Sequence, residues 1–226
     1  MRSFRVNDIF YSLQGEGRNT GRAAVFIRFA GCNLHCPFCD TEFDSYREMS
    51  AEEILAEICS LSPQLSQKPP LGEVGKRPLH PLIVLTGGEP TLQVDETFVD
   101  LLHQHGYEVA MESNGTRPAP RNLDWLTVSP KGNGEARVRW YEGTRIPDEL
   151  KFVFDEHTAD ELASFLYPLG GKQAEPECNL PLLYLQPCDT GDPVRNAEIV
   201  KLCVDYIKQH PEWRLSLQTH KLIGIE

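Results

Sequence analysis

Val25-Phe26-Ile27-Arg28-Phe29-Ala30-Gly31-Cys32-Asn33-Leu34-His35-Cys36-Pro37-Phe38-Cys39 reads as a short apolar strand that runs into a loop carrying three cysteines spaced C-x3-C-x2-C. Along the strand, alternation places Arg28 on the face of Phe26 and Ala30, opposite Ile27 and Phe29. A guanidinium on an inward face is costly unless something pairs with it; a guanidinium on an outward face needs no explanation. Three thiols on one loop point to a metal centre. A cubane cluster has four irons and usually takes four cysteines, so Cys32, Cys36 and Cys39 leave one iron open to a chelating ligand.

Two other readings compete for these cysteines. A structural zinc site needs four closed ligands and has to recruit His35, Asp40 or one of the distant Cys178, Cys188 and Cys203. A dithiol redox site can use Cys36-Pro37-Phe38-Cys39, but it leaves Cys32 without a role. Cys59 and Cys203 lie in helical patterns and read as buried small hydrophobes.

Outward from this segment, apolar runs at 4–10, 23–30, 81–86, 107–112, 123–129, 149–154, 181–186 and 213–219 read as strands. Helical patterns at 51–61, 95–105, 158–167 and 194–209 alternate with them, which is the pattern of a mostly parallel α/β sheet. Ser50 and Glu53 form a capping box ahead of the first helix. Val194, Ala197, Val200, Val204 and Ile207 approximate the apolar face of the last one. Stretches 62–80, 131–147 and 170–180, rich in Pro or Gly, read as insertions in one domain spanning 1–226.

The 226 residues carry 22 Lys and Arg against 33 Asp and Glu, a formal charge of −11, with no basic block. This argues against nucleic-acid binding and against attraction to anionic membranes, and favours a small-molecule substrate. The absence of a long apolar run and of a signal-like N-terminus predicts a cytoplasmic protein, where clustered cysteines serve metal or redox chemistry more often than disulfides.

In parallel α/β folds, chemistry gathers at the carboxyl ends of strands, and polar motifs recur there. Thr86-Gly87-Gly88-Glu89-Pro90 follows the 81–86 strand, and its glycines allow a ligand to approach the backbone closely, although a plain turn has the same composition. Ser129-Pro130-Lys131 and Gln186-Pro187-Cys188-Asp189 offer hydroxyl, amide and charged partners of the kind that ribose and carboxylate groups require, or ordinary loop polarity. Leu13-Gln14-Gly15-Glu16 supplies a planar amide and a carboxylate, which suit the polar edges of a small-molecule ligand. Thr41 is a hard oxygen donor or a turn cap. His220 and Lys221 either close a pocket or are satisfied locally.

C-x3-C-x2-C after an early strand, together with Gly87-Gly88-Glu89-Pro90, resembles the radical S-adenosylmethionine superfamily. Phe10 to Gly17, Gly31 to Thr41, Ser113-Asn114-Gly115-Thr116, Ser129-Pro130-Lys131 and Leu217 to Lys221 resemble the 7-carboxy-7-deazaguanine synthase family, nearly end to end. That resemblance implies an incomplete, modified (β/α) barrel and a carbon–nitrogen lyase that converts 6-carboxy-5,6,7,8-tetrahydropterin to 7-carboxy-7-deazaguanine with release of ammonia, on the route to queuosine-type nucleosides. It implies a [4Fe–4S] cluster on Cys32, Cys36 and Cys39, S-adenosylmethionine as a regenerated cofactor, and magnesium at Thr41. Substrate contacts are then expected from Leu13, Gln14, Gly15, Glu16, Arg28, Thr86 and His220. Cofactor contacts are expected from Phe38, Gly88, Glu89, Ser129, Pro130, Lys131, Gln186, Pro187, Cys188 and Asp189. A homodimer and a flavodoxin or ferredoxin-type electron donor are the implied partners. The nearest rival inside the superfamily is a glycyl-radical-enzyme activating protein, and outside enzymes it is a zinc-binding interaction module.

Overall fold

The alternating strand pattern becomes one nine-stranded sheet in the computed structural model, which describes residues 2–36, 39, 45–61, 80–131, 145–155 and 181–225. The chain forms β1 (Ser3–Leu13), β2 (Ala23–Phe29), β3 (Arg47–Ser50), α1 (Ala51–Leu61), β4 (Leu82–Gly87), α2 (Glu96–Gln104), β5 (Val109–Ser113), β6 (Trp125–Val128), β7 (Glu149–Phe154), β8 (Leu182–Pro187), α3 (Pro193–Gln209), β9 (Trp213–Leu215) and α4 (Thr219–Ile223). Sheet order is β3-β1-β2-β4-β5-β6-β7-β8-β9. Pairing is parallel from β2 to β9, and β1 is antiparallel to both β2 and β3. The edge strands β3 and β9 do not pair with each other, so the barrel is incomplete.

Each strand has two different faces. Val25, Ile27, Phe29, Ile83, Leu85, Met111, Leu150 and Leu185 point to one side, where Ile54 and Ile58 of α1, Phe98 and Leu102 of α2, and Ile199 and Cys203 of α3 complete the main core. On the opposite face a small cluster of Ala24, Leu82, Val84 and Ala110, with Phe26 and Trp125 against it, fills the end where the parallel strands begin. Beyond that plug, toward the strands' carboxyl ends, the same face turns polar.

Local signals set several element ends. Ser50 N donates to Glu53 Oε2 at 2.7 Å and Glu53 N donates to Ser50 Oγ at 3.2 Å, which is the expected capping box, and α1 covers the predicted 51–61. Asp95 caps α2 by accepting from Phe98 N at 3.0 Å, and the helix gives way to Gly106 at φ +83°. Asp192 caps α3 in the same way through Val194 N at 2.9 Å.

Three expectations need correction. Strand β3 is absent from the sequence reading because Arg47-Glu48-Met49-Ser50 holds a single apolar residue; it forms by pairing with β1. The expected strand 213–219 stops at Leu215, although Leu217 continues the alternation. There Ser216 Oγ donates to Gln186 Oε1 at 3.1 Å and accepts from Gly17 N at 3.0 Å, and Thr219 starts α4. Helix α3 buries Ile199 and Cys203 and leaves Val194 72% exposed, so its inward face is not the one read from the spacing. The predicted helix 158–167 and most of the three predicted insertions lie outside the described residues.

Candidate active site

The polar half of the inner face opens into a cavity of about 490 Å³, within the roughly 300–1,000 Å³ usual for small-molecule sites. Its wall contains Cys32, Cys36 and Cys39, along with Leu13, Gln14, Gly15, Glu16, Arg28, Thr86, Gly88, Ser129, Lys131, Gln186 and His220 of the expected site residues. Glu89, Pro130, Pro187, Cys188 and Asp189 do not line it. Phe38 and Thr41 lie outside the described residues.

The cysteine loop is held from below by backbone packing. Gly88 N donates to Phe29 O at 2.8 Å and Glu89 N donates to Gly31 O at 2.9 Å. A Cβ on Gly88 would lie 2.0 Å from Gly31 O, and one on Gly87, at φ +109°, would lie 2.3 Å from Phe29 N. The two glycines are therefore demanded by the approach of two chain segments at the root of the cysteine loop. Glu89 sits fully buried beneath them and accepts from Thr91 N at 3.1 Å, Thr91 Oγ1 at 2.6 Å, Ser113 Oγ at 2.8 Å and Asn114 N at 2.7 Å. Both its oxygens are engaged by protein groups, which ties the loop after β4 to the end of β5.

None of the three loop cysteines is in a disulfide. Cys32 Sγ accepts from Leu34 N at 3.4 Å and lies 3.9 Å from Asn114 Nδ2. Burial raises the pKa of Cys36, the Lys131 ammonium lowers it, and Cys32 and Cys39 raise it further. Among the described residues no three His, Cys, Asp or Glu side chains draw together around a single ion. Three sulfur donors on one cavity rim suit a cubane with one open iron.

Deeper in the cavity lies a charged network that the sequence reading did not find. Lys151 Nζ of β7, 4% exposed, donates to Glu16 Oε2 at 2.5 Å and to Glu112 Oε2 of β5 at 2.9 Å. Gln14 Nε2 donates to Glu112 Oε1 at 3.3 Å, and Gln218 Nε2 donates to Glu16 Oε1 at 3.0 Å. Burial disfavours the Glu16 charge, but Lys151 and Gln218 outweigh it and hold that carboxyl at about 2. Glu112 goes the other way: burial raises it despite Lys151, because the ammonium lies nearer Glu16 and the Glu16 charge repels a second one. Burial alone would lower Lys151, yet the two carboxylates push it well above the usual lysine value. Lys131 is lowered by burial and by Lys151. The available signal was the one that singled out Arg28: Glu112 and Lys151 are each a charge inside an apolar strand.

Arg28 is indeed on the cavity side, beside Thr86 in the parallel register. Its guanidinium lies 4.7 Å from the centre of the Phe10 ring, which stacks on Phe26 at 5.0 Å, and it has no carboxylate partner among the described residues.

The C-terminal segment closes the side that the unpaired sheet edges leave open. Thr219 N and Oγ1 donate to Gly15 O at 3.0 and 2.9 Å. His220 packs so closely on Gly15 that a Cβ there would lie 2.2 Å from its Nδ1. Lys221 Nζ donates to Asp189 Oδ2 at 2.9 Å, and Asp189 also accepts from Asn196 Nδ2 at 2.8 Å and Gly191 N at 3.0 Å. Asp189 thus fastens this segment to the loop after β8.

Comparison with known proteins agrees with this arrangement. The family model for the Radical SAM superfamily matches residues 26–132. A 7-carboxy-7-deazaguanine synthase of Bacteroides thetaiotaomicron is 41% identical over 98% of each chain, and one of Nitratidesulfovibrio vulgaris is 40% identical over 99% of each. The crystal structure of QueE from Escherichia coli superposes with a TM-score of 0.71 at 25% identity, over 95% of this chain and 93% of that one. With the cysteine rim, the incomplete barrel and near end-to-end similarity in agreement, the chain belongs to the 7-carboxy-7-deazaguanine synthase family of radical S-adenosylmethionine proteins.

Proposed function

We propose that this single-domain enzyme converts 6-carboxy-5,6,7,8-tetrahydropterin to 7-carboxy-7-deazaguanine and ammonia, a carbon–nitrogen lyase step toward 7-deazapurines. One observation carries the reading: a single cavity combines three loop thiols with a guanidinium that has no carboxylate partner among the described residues at one place and a carboxylate pair at another.

Cys32, Cys36 and Cys39 would hold a [4Fe–4S] cluster, leaving room on it for S-adenosylmethionine. When bound, these cofactors supply a carbon-centred radical able to take a hydrogen atom from the substrate and return it. The protein's own groups do the positioning. Arg28 grips the substrate carboxylate through two parallel N–H donors, which pairs its charge. Gln14, Glu16 and Glu112 accept from the N–H-rich edge of the pterin, and Leu13 and Gly15 flank it. Thr86 and His220 bound the same ligand. Gly88, Ser129, Lys131 and Gln186 face S-adenosylmethionine, with Lys131 placed for its carboxylate. Phe10, Phe26, Leu34 and Val153 give the wall an apolar part that excludes water from a reactive intermediate.

Magnesium bound through Thr41, a homodimer, a flavodoxin or ferredoxin-type electron donor and a cytoplasmic setting belong to the same reading and come from the family likeness. No helix among the described residues is long and apolar enough to cross a membrane.

The test is an anaerobic reaction of reconstituted protein with the tetrahydropterin, S-adenosylmethionine, magnesium and a reductant. Mass spectrometry should find 7-carboxy-7-deazaguanine; its absence under conditions in which the cluster is intact would reject the substrate.

A further inference from the structure

Lys151 is the one member of the cavity network that touches both carboxylates, and it reaches them from a different strand than either. Glu16 stands on the loop after β1 and Glu112 on β5, and the Lys151 ammonium bridges the two directly. Each carboxylate keeps its other oxygen for a neutral amide, Gln218 for Glu16 and Gln14 for Glu112.

We propose that Lys151 is a positioning residue for substrate recognition: it clamps Glu16 and Glu112 side by side as hydrogen-bond acceptors for an N–H-rich ligand edge. The claim deepens the functional reading above and rests on it. Two half-buried carboxylates that share a site repel each other, and a pair without a cation takes up a proton. An acceptor then becomes an O–H donor and faces the N–H donors of the ligand, which is a mismatch rather than a weak contact. Lys151 prevents this from the protein side, without being consumed or moved.

Other charges bear on the pair. Glu149 lies below Glu16 and Glu112 on β7, Lys131 stands after β6, and His220 approaches Glu16 from α4. Glu149 adds to the repulsion, and its carboxyl is already pushed up to about 7 by burial and by the Glu112 charge. Lys131 and His220 also favour the ionised pair, and Lys151 adds a direct hydrogen bond to each carboxylate.

The experiment compares wild type with Lys151→Met, Lys151→Arg, Glu112→Gln and the Lys151→Met/Glu112→Gln double variant, each as cluster-loaded protein. Affinity for 6-carboxytetrahydropterin is measured at equilibrium without S-adenosylmethionine from pH 6 to 9, a range spanning the roughly two to three units by which such sites shift. Lys151→Met should bind about tenfold or more weakly at neutral pH, recovering as pH rises, because an ionised acceptor contributes that much or more. Lys151→Arg should recover most of the affinity, and the double variant should lose little beyond Glu112→Gln alone. Infrared spectra of the ligand-free proteins should show one more protonated carboxyl in Lys151→Met than in wild type at pH 7. Additive losses in the double variant, or no extra protonated carboxyl in Lys151→Met, would overturn the claim. A wild-type protein that fails to bind the pterin would break the functional reading instead, and the ligand-free infrared comparison would still decide the role of Lys151.

Discussion

Glu89, fully buried, and Glu16, half-buried, are both acidic residues near the cavity, and they offset the loss of water in opposite ways. Glu89 is surrounded by neutral donors from Thr91, Ser113 and Asn114 and faces no open space. Glu16 is balanced by a buried cation and remains on the cavity wall. A fully buried group both of whose oxygens are met by its own chain holds the chain together, whereas one fixed by a single ammonium and one amide on a cavity wall still has acceptor capacity for a ligand. The difference separates the scaffold under the cysteine loop from the proposed substrate surface.

The sharpest way to separate chemistry from scaffold is at the loop itself. Changing Cys32, Cys36 or Cys39 to Ala should abolish turnover and iron retention while leaving the urea midpoint of the iron-free protein unchanged, as measured by circular dichroism. Glu89→Leu should do the reverse in kind. It leaves four donors without their acceptor, at about 1 kcal/mol or more each, and should lower unfolding free energy by about 4 kcal/mol in urea titration.

Glu149 sharpens the comparison on the binding side. It is 1% exposed, accepts from Arg18 N at 3.0 Å, and has its carboxyl raised by burial, then by Glu112, from 4.5 to about 7. The folded state therefore holds this proton more tightly than the unfolded state. The resulting stability is complete below about pH 4.5 and is lost as pH rises through about 7. Wild type should lose up to about 3 kcal/mol between pH 5 and 8 that Glu149→Gln retains, measured by denaturation at each pH. The smallest effect is expected at the seam: Gly15→Ala collides with His220 and should cost about 1–2 kcal/mol while raising the substrate KM, because α4 must shift off the loop.

The parallel sheet was legible because its strands carry near-continuous apolar runs, and α1 because Ser50 and Glu53 mark its start. Strand β3 was not, since pairing with β1 rather than its own composition makes it a strand. The face of α3 was misread because Val194 continues a spacing that the cap at Asp192 turns toward solvent. In the site, local motifs led to the cysteines, Gln14, Glu16 and Arg28, all of which reach the cavity. Lys151 and Glu112 stayed hidden because their partners lie 135 and 39 residues away in one case and 98 and 39 in the other, and only the sheet order brings them together. Asp189 and Glu89, expected from their motifs as cofactor contacts, each also have a set of protein partners that only the fold reveals.

The most direct test of the account is electron paramagnetic resonance of the reduced, iron-loaded protein before and after addition of S-adenosylmethionine. Coordination of that compound at the iron left open by Cys32, Cys36 and Cys39 should change the signal of a four-iron cluster, and an unchanged spectrum, or a protein that takes up no iron, would contradict it.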